Sequence, residues 1–172
     1  MTLDDVLPAP DWATCCERRI DAAPDVALAA ARATTLAEMP LAAVLLGLRG
    51  LRLRRPPRIP FLVLVERSVG LARVGDDVWA GLQQPWHLRG ASRRVDDFAG
   101  FSEPGWVKIA VDLTATPVGA GALLATETRI AATSDDARRA FGRYWRVVRP
   151  GSDLVRTSWL RAAERRVTVG SE

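Results

Sequence analysis

Apolar positions near the C-terminal end of the chain keep one helical phase on both sides of a proline. At about 100° per residue they form one stripe, which comprises Ala137, Phe141, Tyr144, Val148, Val155, Trp159 and Ala162. An unrelated helix after Pro150 would have no reason to stay in this phase. The pattern therefore predicts one long helix, kinked or briefly interrupted at Pro150-Gly151. Its other side carries Arg139, Arg143, Arg146 and Arg161, which we interpret as a solvated face.

The segment that precedes this helix alternates as a β-hairpin does. In "WVKIAVDLTAT", one face of a strand holds Val107, Ile109, Val111 and Leu113. The stretch "PVGAGA" supplies a turn, and "LLATETRIAAT" returns with a second alternating run. We expect the two runs to pair as antiparallel strands. Ser134 or Asp135 is then expected to cap the helix.

The first third of the chain predicts one strand and two helices. The strand covers Trp12 to Asp21, and a short helix begins at Pro24, a residue that suits the first helical turn. A second helix is predicted over residues 34–53, with a capping box between Thr35 and Glu38. Its apolar residues predict a mostly buried helix, which the prolines of "RRPPRIP" end.

The middle of the chain predicts further strands. Residues 61–82, "FLVLVERSVGLARVGDDVWAGL", read as short extended runs with a hairpin at "GDD". Strands followed by helix, without regular alternation, indicate an α+β sheet with helices packed on it. We expect one domain over residues 1–172, with residues 1–10 as a flexible N-terminal arm.

Composition favours a soluble, cytoplasmic bacterial protein. No apolar run reaches the ~20 residues that span a bilayer, and the N-terminus lacks the basic flank of a secretory signal. The net charge of +4 sets 24 basic against 20 acidic residues, and Lys108 is the sole lysine, which is typical of a GC-rich genome. This modest charge argues against a nucleic-acid partner. Cys15, Cys16 and His87 do not make a structural metal site, and no cofactor motif is present.

Three segments carry a resemblance to a known family. They are "LAEMPLAAVLLGLRGL", "LLATETRIAATSDDARRAF" and "YWRVVRPGSDLVRTSWL". In this order they resemble an uncharacterised bacterial branch of the START-like (SRPBCC, polyketide cyclase/dehydrase and lipid transport) superfamily. The resemblance implies a helix-grip fold, in which a curved antiparallel sheet wraps a long C-terminal helix and two short helices close one end. It also implies a cavity between sheet and helix, lined or filled by Phe141, Tyr144, Val148 and Trp159.

The residues themselves leave the use of such a site open. The aromatic stripe either binds an apolar ligand or packs the core, and tryptophans near strand ends, Trp106 among them, either rim a pocket or cover the core. Glu127 and Arg129 share one face of their strand, so they form a polar pair inside a cavity or stand on the outer surface. Asp112 has the same ambiguity.

The functional hypotheses follow from these alternatives. The first is binding of a hydrophobic small molecule or lipid, without catalysis and without stable insertion in a membrane. The second is a cyclase- or dehydratase-like enzyme of the same fold that uses His87, Glu127 or Asp112 in proton transfer. The third is a protein- or nucleic-acid-interaction module that uses the arginine-rich helix face.

Overall fold

The computed structural model describes residues 1–48, 58–87 and 90–169. Over these residues the fold is α+β, with an antiparallel seven-stranded sheet and a long C-terminal helix. The helices are α1 (Leu3–Val6), α2 (Pro24–Ala33), α3 (Pro40–Leu48), α4 (Phe61–Ser68) and α5 (Asp135–Val169). The strands are β1 (Trp12–Ile20), β2 (Ala72–Arg73), β3 (Val78–Gln84), β4 (Ala91–Arg93), β5 (Val107–Asp112), β6 (Thr114–Val118) and β7 (Gly121–Ala132).

The sheet has the order β1-β7-β5-β3-β2, with β4 beside β3 and β6 beside β7. The predicted hairpin is confirmed, because β5 and β6 pair in turn with β7 in one register, from Val107 opposite Ala132 to Val118 opposite Gly121. The turn contains Gly119, whose φ of 61° is easily adopted without a side chain. The predicted β2–β3 hairpin around "GDD" is also present.

The predicted long helix is confirmed as α5, which continues through Pro150 without a break. Ser134 caps its first turn, since its Oγ accepts a hydrogen bond from the backbone N–H of Ala137 at 3.3 Å. The four arginines of the polar side are exposed, as expected for a solvated face.

The predicted strand at Trp12 and the helix at Pro24 are confirmed as β1 and α2. The capping box is also present: Glu38 Oε2 accepts hydrogen bonds from the backbone N–H and the hydroxyl of Thr35 at 2.8 and 2.7 Å. It closes a 3-10 turn over Leu36–Glu38, and α3 starts only at Pro40. The end of the predicted helix, residues 49–53, lies outside the described residues.

The expectation that this second helix is mostly buried is wrong. Ala42 is buried in α3, whereas Leu41, Val44 and Leu48 are 48%, 60% and 81% exposed. The sequence misled because a helix that is apolar all round is usually buried. The side of α3 that faces solvent is as apolar as the side that packs.

The prediction that residues 61–68 are extended is wrong, because they form α4. Phe61, Leu62 and Leu64 are buried, a spacing that fits one face of a helix. The run "FLVLV" is apolar throughout, so it carries no periodicity that separates helix from strand. The backbone N–H of Leu64 donates to Pro60 O at 3.2 Å, the bond of a helical turn, and that of Phe61 donates to the distant Thr34 O at 2.8 Å.

The N-terminal ten residues are not a free arm. Leu3, Val6 and Leu7 are each at most 8% exposed and pack in one cluster with Val78, Ala80 and Ala110 of the sheet. The helix α1 is short, but Asp5 Oδ2 accepts the backbone N–H of Thr2 at 2.7 Å and closes its first turn. Burial of these three side chains holds the segment on the sheet.

The chain forms two compact units. The first comprises Met1–Cys15, Val65–Asp112 and Glu127–Arg149. The second comprises Cys16–Leu64, Leu113–Thr126 and Pro150–Glu172. In the second unit, Trp159 is 2% exposed, its ring centroid lies 5.4 Å from that of Phe61, and its indole N–H donates to Ala31 O at 2.9 Å.

Candidate functional site

Four aromatic rings of the first unit meet around a fifth, the ring of Phe141. We call this set, which consists of Trp12, Trp86, Phe141, Tyr144 and Trp145, the ring cluster. From the ring centroid of Phe141 the distances are 4.9 Å to Trp12, 5.6 Å to Trp145, 5.7 Å to Tyr144 and 6.5 Å to Trp86. These separations and the tilted, stacked and edge-on arrangements lie in the range in which aromatic pairs attract.

The ring cluster has a buried centre and a partly exposed rim. Phe141 is 1% exposed and packs on Val107 and Ile130, whereas its four aromatic neighbours all stay half-buried. Helix α5 supplies three of the rings, because residues three and four apart lie on one helical face. The result is a set of four partly exposed indole and phenol rings around a buried phenyl ring.

The structure brings together only part of the predicted apolar stripe. Phe141 and Tyr144 are in the ring cluster, and Val148 lies half-buried two turns after Phe141 on α5. Trp159 belongs to the packed core of the second unit. Trp106 lies outside the ring cluster, and its ring packs edge-on against Phe101 at 6.5 Å.

Glu127 and Arg129 lie on the face of the sheet away from the ring cluster. Ile109 and Ile130 are opposite each other and touch the ring cluster, whereas the next pair along the strands, Ala110 and Arg129, projects to the other face. That second face is the one on which α1 packs.

Arg129 is held by carboxylates on this α1-covered face. It donates to Glu127 Oε1 at 2.7 Å, to Asp4 Oδ1 at 2.6 Å and to Leu7 O at 3.3 Å. Its side chain is 16% exposed. The hydrogen bonds from Arg129 to Glu127 and Asp4 raise the pKa of its guanidinium. Arg129 therefore ties α1 to β7 and does not project toward the ring cluster.

Asp112 is the last residue of β5 and is partly buried. Burial raises the pKa of its carboxyl, and the hydrogen bond that its Oδ1 accepts from the backbone N–H of Glu127, at 2.7 Å, acts in the opposite direction. This carboxylate replaces a backbone acceptor where β5 ends. Asp112 lies on the same face as Arg129, so it too is separated from the ring cluster.

His87 follows β3 in an exposed position. Its ring centroid is 5.8 Å from that of Trp86, so it stands at the edge of the ring cluster. The three proton-transfer candidates thus lie in two places, with His87 near the rings and the carboxylates on the opposite face. They do not form one constellation.

Sequence reasoning did not place three members of the ring cluster in a common site. Trp145 follows Phe141 by four residues, and this i, i+4 spacing was a usable signal for a shared face. Trp12 and Trp86 had no such signal, because the segments that carry them lie far from α5 in sequence. Only the pairing of the sheet brings them to Phe141.

The part of the chain that the structure describes contains neither a metal-binding cluster nor a membrane-spanning helix. There, no group of three or more His, Cys, Asp and Glu side chains is arranged to hold a metal ion. Among the same residues, no helix has the length and apolar character needed to cross a membrane.

Comparison with known proteins does not assign the chain to a family. No family model matches it, and no curated protein matches it. The crystal structure of TTHA0849 from Thermus thermophilus is similar, with a TM-score of 0.37 and 16% sequence identity over 94% of this chain and 100% of that chain. Likeness at this level does not define a fold family.

Proposed function

We propose that this protein is a START-like domain of the helix-grip fold that binds a hydrophobic or amphipathic small molecule at the ring cluster. The observation that carries the proposal is the partly exposed rim of the ring cluster. Four large rings around Phe141 remain half-buried, although the centre of the cluster is packed to 1% exposure. Partly exposed aromatic rings packed on a buried core are typical of sites that bind flat apolar ligands.

The chemistry of the rim suits a ligand with one polar end. Indole and phenol rings offer apolar faces together with N–H and O–H donors. His87 stands beside Trp86, with 5.8 Å between their ring centroids, and adds ring nitrogens that can form hydrogen bonds. A planar apolar body would lie against the rings, and its polar end would point toward His87 and solvent.

Binding accounts for this arrangement better than proton-transfer catalysis does. A general acid must reach the reacting atom within hydrogen-bond distance or through one water. Asp112 and Glu127 project from the face of the sheet opposite Phe141. A ligand on the ring cluster would meet only His87 among the three candidates. We therefore place the enzyme hypothesis second.

Native mass spectrometry of the full chain, followed by titration with the apolar dye Nile red, tests the proposal. We expect a copurifying apolar adduct or, for the apo protein, saturable dye binding with a blue-shifted emission. Trp86→Ala and Trp145→Ala should each weaken dye binding about 3- to 10-fold, because each removes one stacking partner.

Trp106→Ala is the matched control, since Trp106 is also a half-buried tryptophan of the first unit but lies outside the ring cluster. It should leave dye affinity unchanged. A clean apo mass together with no dye uptake would show that the ring cluster is only packed core. Equal losses in Trp86→Ala and Trp106→Ala would also contradict the proposed site.

A further inference from the structure

Helix α3 presents an apolar stripe to solvent. Leu41, Val44 and Leu48 are 48%, 60% and 81% exposed, and their spacing places them within about 60° of one another around the helix axis. Ala42 points about 100° away from Leu41 and is fully buried. One side of α3 therefore anchors the helix while three large aliphatic side chains project outward.

The sequence around this stripe holds a concentrated positive charge. Residues 39–65 contain five arginines and neither lysine nor any acidic residue, so this segment carries +5. The whole chain carries +4, so all its other residues together sum to −1. Arg58, at the end of the arginine run, is exposed. The net positive charge of this protein is thus concentrated in the sequence segment that contains α3 and directly follows it.

The start of α3 is firmly attached to the second unit. Glu38, two residues before the helix, accepts hydrogen bonds from Arg166 Nε at 2.7 Å and Arg166 Nη2 at 2.9 Å. Arg165 donates to the backbone carbonyl of Glu38 at 2.8 Å. The exposed stripe is therefore presented by a helix whose first turn is fixed.

We propose that α3 is a docking surface for an anionic lipid bilayer. Aliphatic side chains on one helix face, with arginines next to them in the chain, match the two parts of such a surface, the acyl boundary and the negatively charged headgroups. Charge complementarity favours an anionic bilayer as the partner, since residues 39–65 carry +5 and contain no acidic residue. The contact is peripheral, because nine residues of α3 are too few to span a bilayer.

This inference goes beyond the proposed binding of a small molecule and rests on different residues. Cosedimentation of the full chain with vesicles tests it. One set of vesicles is pure phosphatidylcholine, and the other contains about 30 mol % phosphatidylglycerol. We expect binding to the anionic vesicles and weak binding to the neutral ones, with a marked loss in about 0.5 M salt because screening weakens exposed charge interactions.

The variant Val44→Asp/Leu48→Asp should lower affinity for anionic vesicles at least about tenfold, because it replaces aliphatic groups that docking would bury with charges that repel the headgroups. Val147→Asp is the matched control: Val147 is 80% exposed but lies on α5. It should bind vesicles as the wild type does. Circular dichroism and thermal unfolding of each variant show that the fold is kept.

Three results would overturn the inference. The first is no binding of the wild type to anionic vesicles, and the second is equal binding by the Val44→Asp/Leu48→Asp variant. The third is a wild-type dimer in analytical ultracentrifugation that this variant dissociates while vesicle binding is absent, which would assign the stripe to a second copy of the chain. Trp86→Ala should not affect vesicle binding, so failure of the ligand proposal and failure of this one are distinguishable.

Discussion

Asp112 occupies a position in which a charge is costly but an acceptor is needed. Burial raises the pKa of its carboxyl, while its Oδ1 accepts the N–H of Glu127. A folded-state pKa above the unfolded one means that ionisation opposes folding, so stability gained at low pH is lost as pH rises through the folded pKa. Substitution of Asp112 can separate the cost of the buried charge from the need for an acceptor oxygen.

We expect Asp112→Asn to be as stable as the wild type at pH 7 or more stable, since asparagine keeps the acceptor oxygen without the charge. This advantage should disappear below the ordinary aspartate pKa of 3.8, where the wild-type carboxyl is also neutral. Asp112→Ala should lose about 1–2 kcal/mol because the N–H of Glu127 loses its acceptor. Urea unfolding at pH 7 and pH 3.5 measures both differences, and a less stable Asp112→Asn at pH 7 would refute the first expectation.

The contribution of Glu38 to stability depends on pH in the opposite direction. Partial burial by itself raises its pKa, but hydrogen bonds from Arg166 and from the side chain and backbone of Thr35 outweigh burial and lower the pKa from 4.5 to about 2. A folded pKa below the unfolded value contributes stability that is present above about pH 4.5 and is lost as pH falls toward 2.

Glu38→Gln should therefore lose about 1–2 kcal/mol of unfolding free energy at pH 7, a figure reduced for solvent screening because the pair is about one-third exposed. The difference from the wild type should shrink between pH 4.5 and pH 3. Urea unfolding across this range measures it. Glu103→Gln is the control, because Glu103 is more exposed in its ion pair with Arg93, and it should change stability by less than about 0.5 kcal/mol. A constant Glu38→Gln deficit at every pH would argue against the ion pair as its cause.

At the scale of elements, α5 contains two residues that oppose helix formation. Pro150 and Gly151 lie inside the helix, far from both ends. Proline lacks the N–H that would bond to the preceding turn, and its ring crowds that turn. Glycine costs backbone entropy on ordering. The helix persists because tertiary contacts on both sides of the pair, at Phe141 and Trp159, are buried to 2% exposure or less.

Pro150→Ala should stabilise the protein by about 1–3 kcal/mol, because Pro150 is exposed and its replacement restores one helical hydrogen bond. Gly151→Ala should add about 0.5–1 kcal/mol, since a Cβ at Gly151 would meet no heavy atom within 4 Å. Thermal unfolding monitored by circular dichroism measures both. If Pro150→Ala instead lowers the melting temperature, the proline itself is required by the packing of α5.

Local sequence pattern is sufficient to predict some of the elements and not others. The alternation of "WVKIAVDLTAT" predicts its strand correctly, and the phase of the C-terminal stripe predicts α5. The runs "FLVLV" and "PLAAVLLGL" carry no periodicity, so both expectations drawn from them are wrong: the first is a helix, and the second is not mostly buried. An apolar run indicates that a segment tends to be buried. It does not identify the residues that bury it.

At the scale of the whole molecule, several of the described arginines form ion pairs with carboxylates. Arg18, Arg93 and Arg129 each contact a carboxylate within 2.7 Å, as does Arg166. Arg138, Arg139 and Arg156 pair with Asp11, Asp136 and Asp153. Such pairing leaves fewer arginines to release counterions from a phosphate backbone.

We therefore expect only weak binding of nucleic acid. A fluorescently labelled random-sequence oligonucleotide should show no anisotropy change with ~10 µM protein in about 0.15 M salt. At about 0.02 M salt a small change is expected, because unscreened charges attract phosphate without specificity. Tight binding that persists at the higher salt concentration would instead support the interaction-module hypothesis.

By itself, the sequence determined the elements that local periodicity encodes: the β5–β7 hairpin, the first strand and helix, the capping box at Thr35 and the long C-terminal helix. It also determined that Phe141 and Tyr144 share one face. Only the tertiary structure decided which residues surround Phe141, that Arg129 lies on the opposite face, and that α1 is packed. The local sequence pattern determines which side chains of one helix or strand share a face. The residues that pack against that face are distant in sequence, so only the tertiary structure decides them.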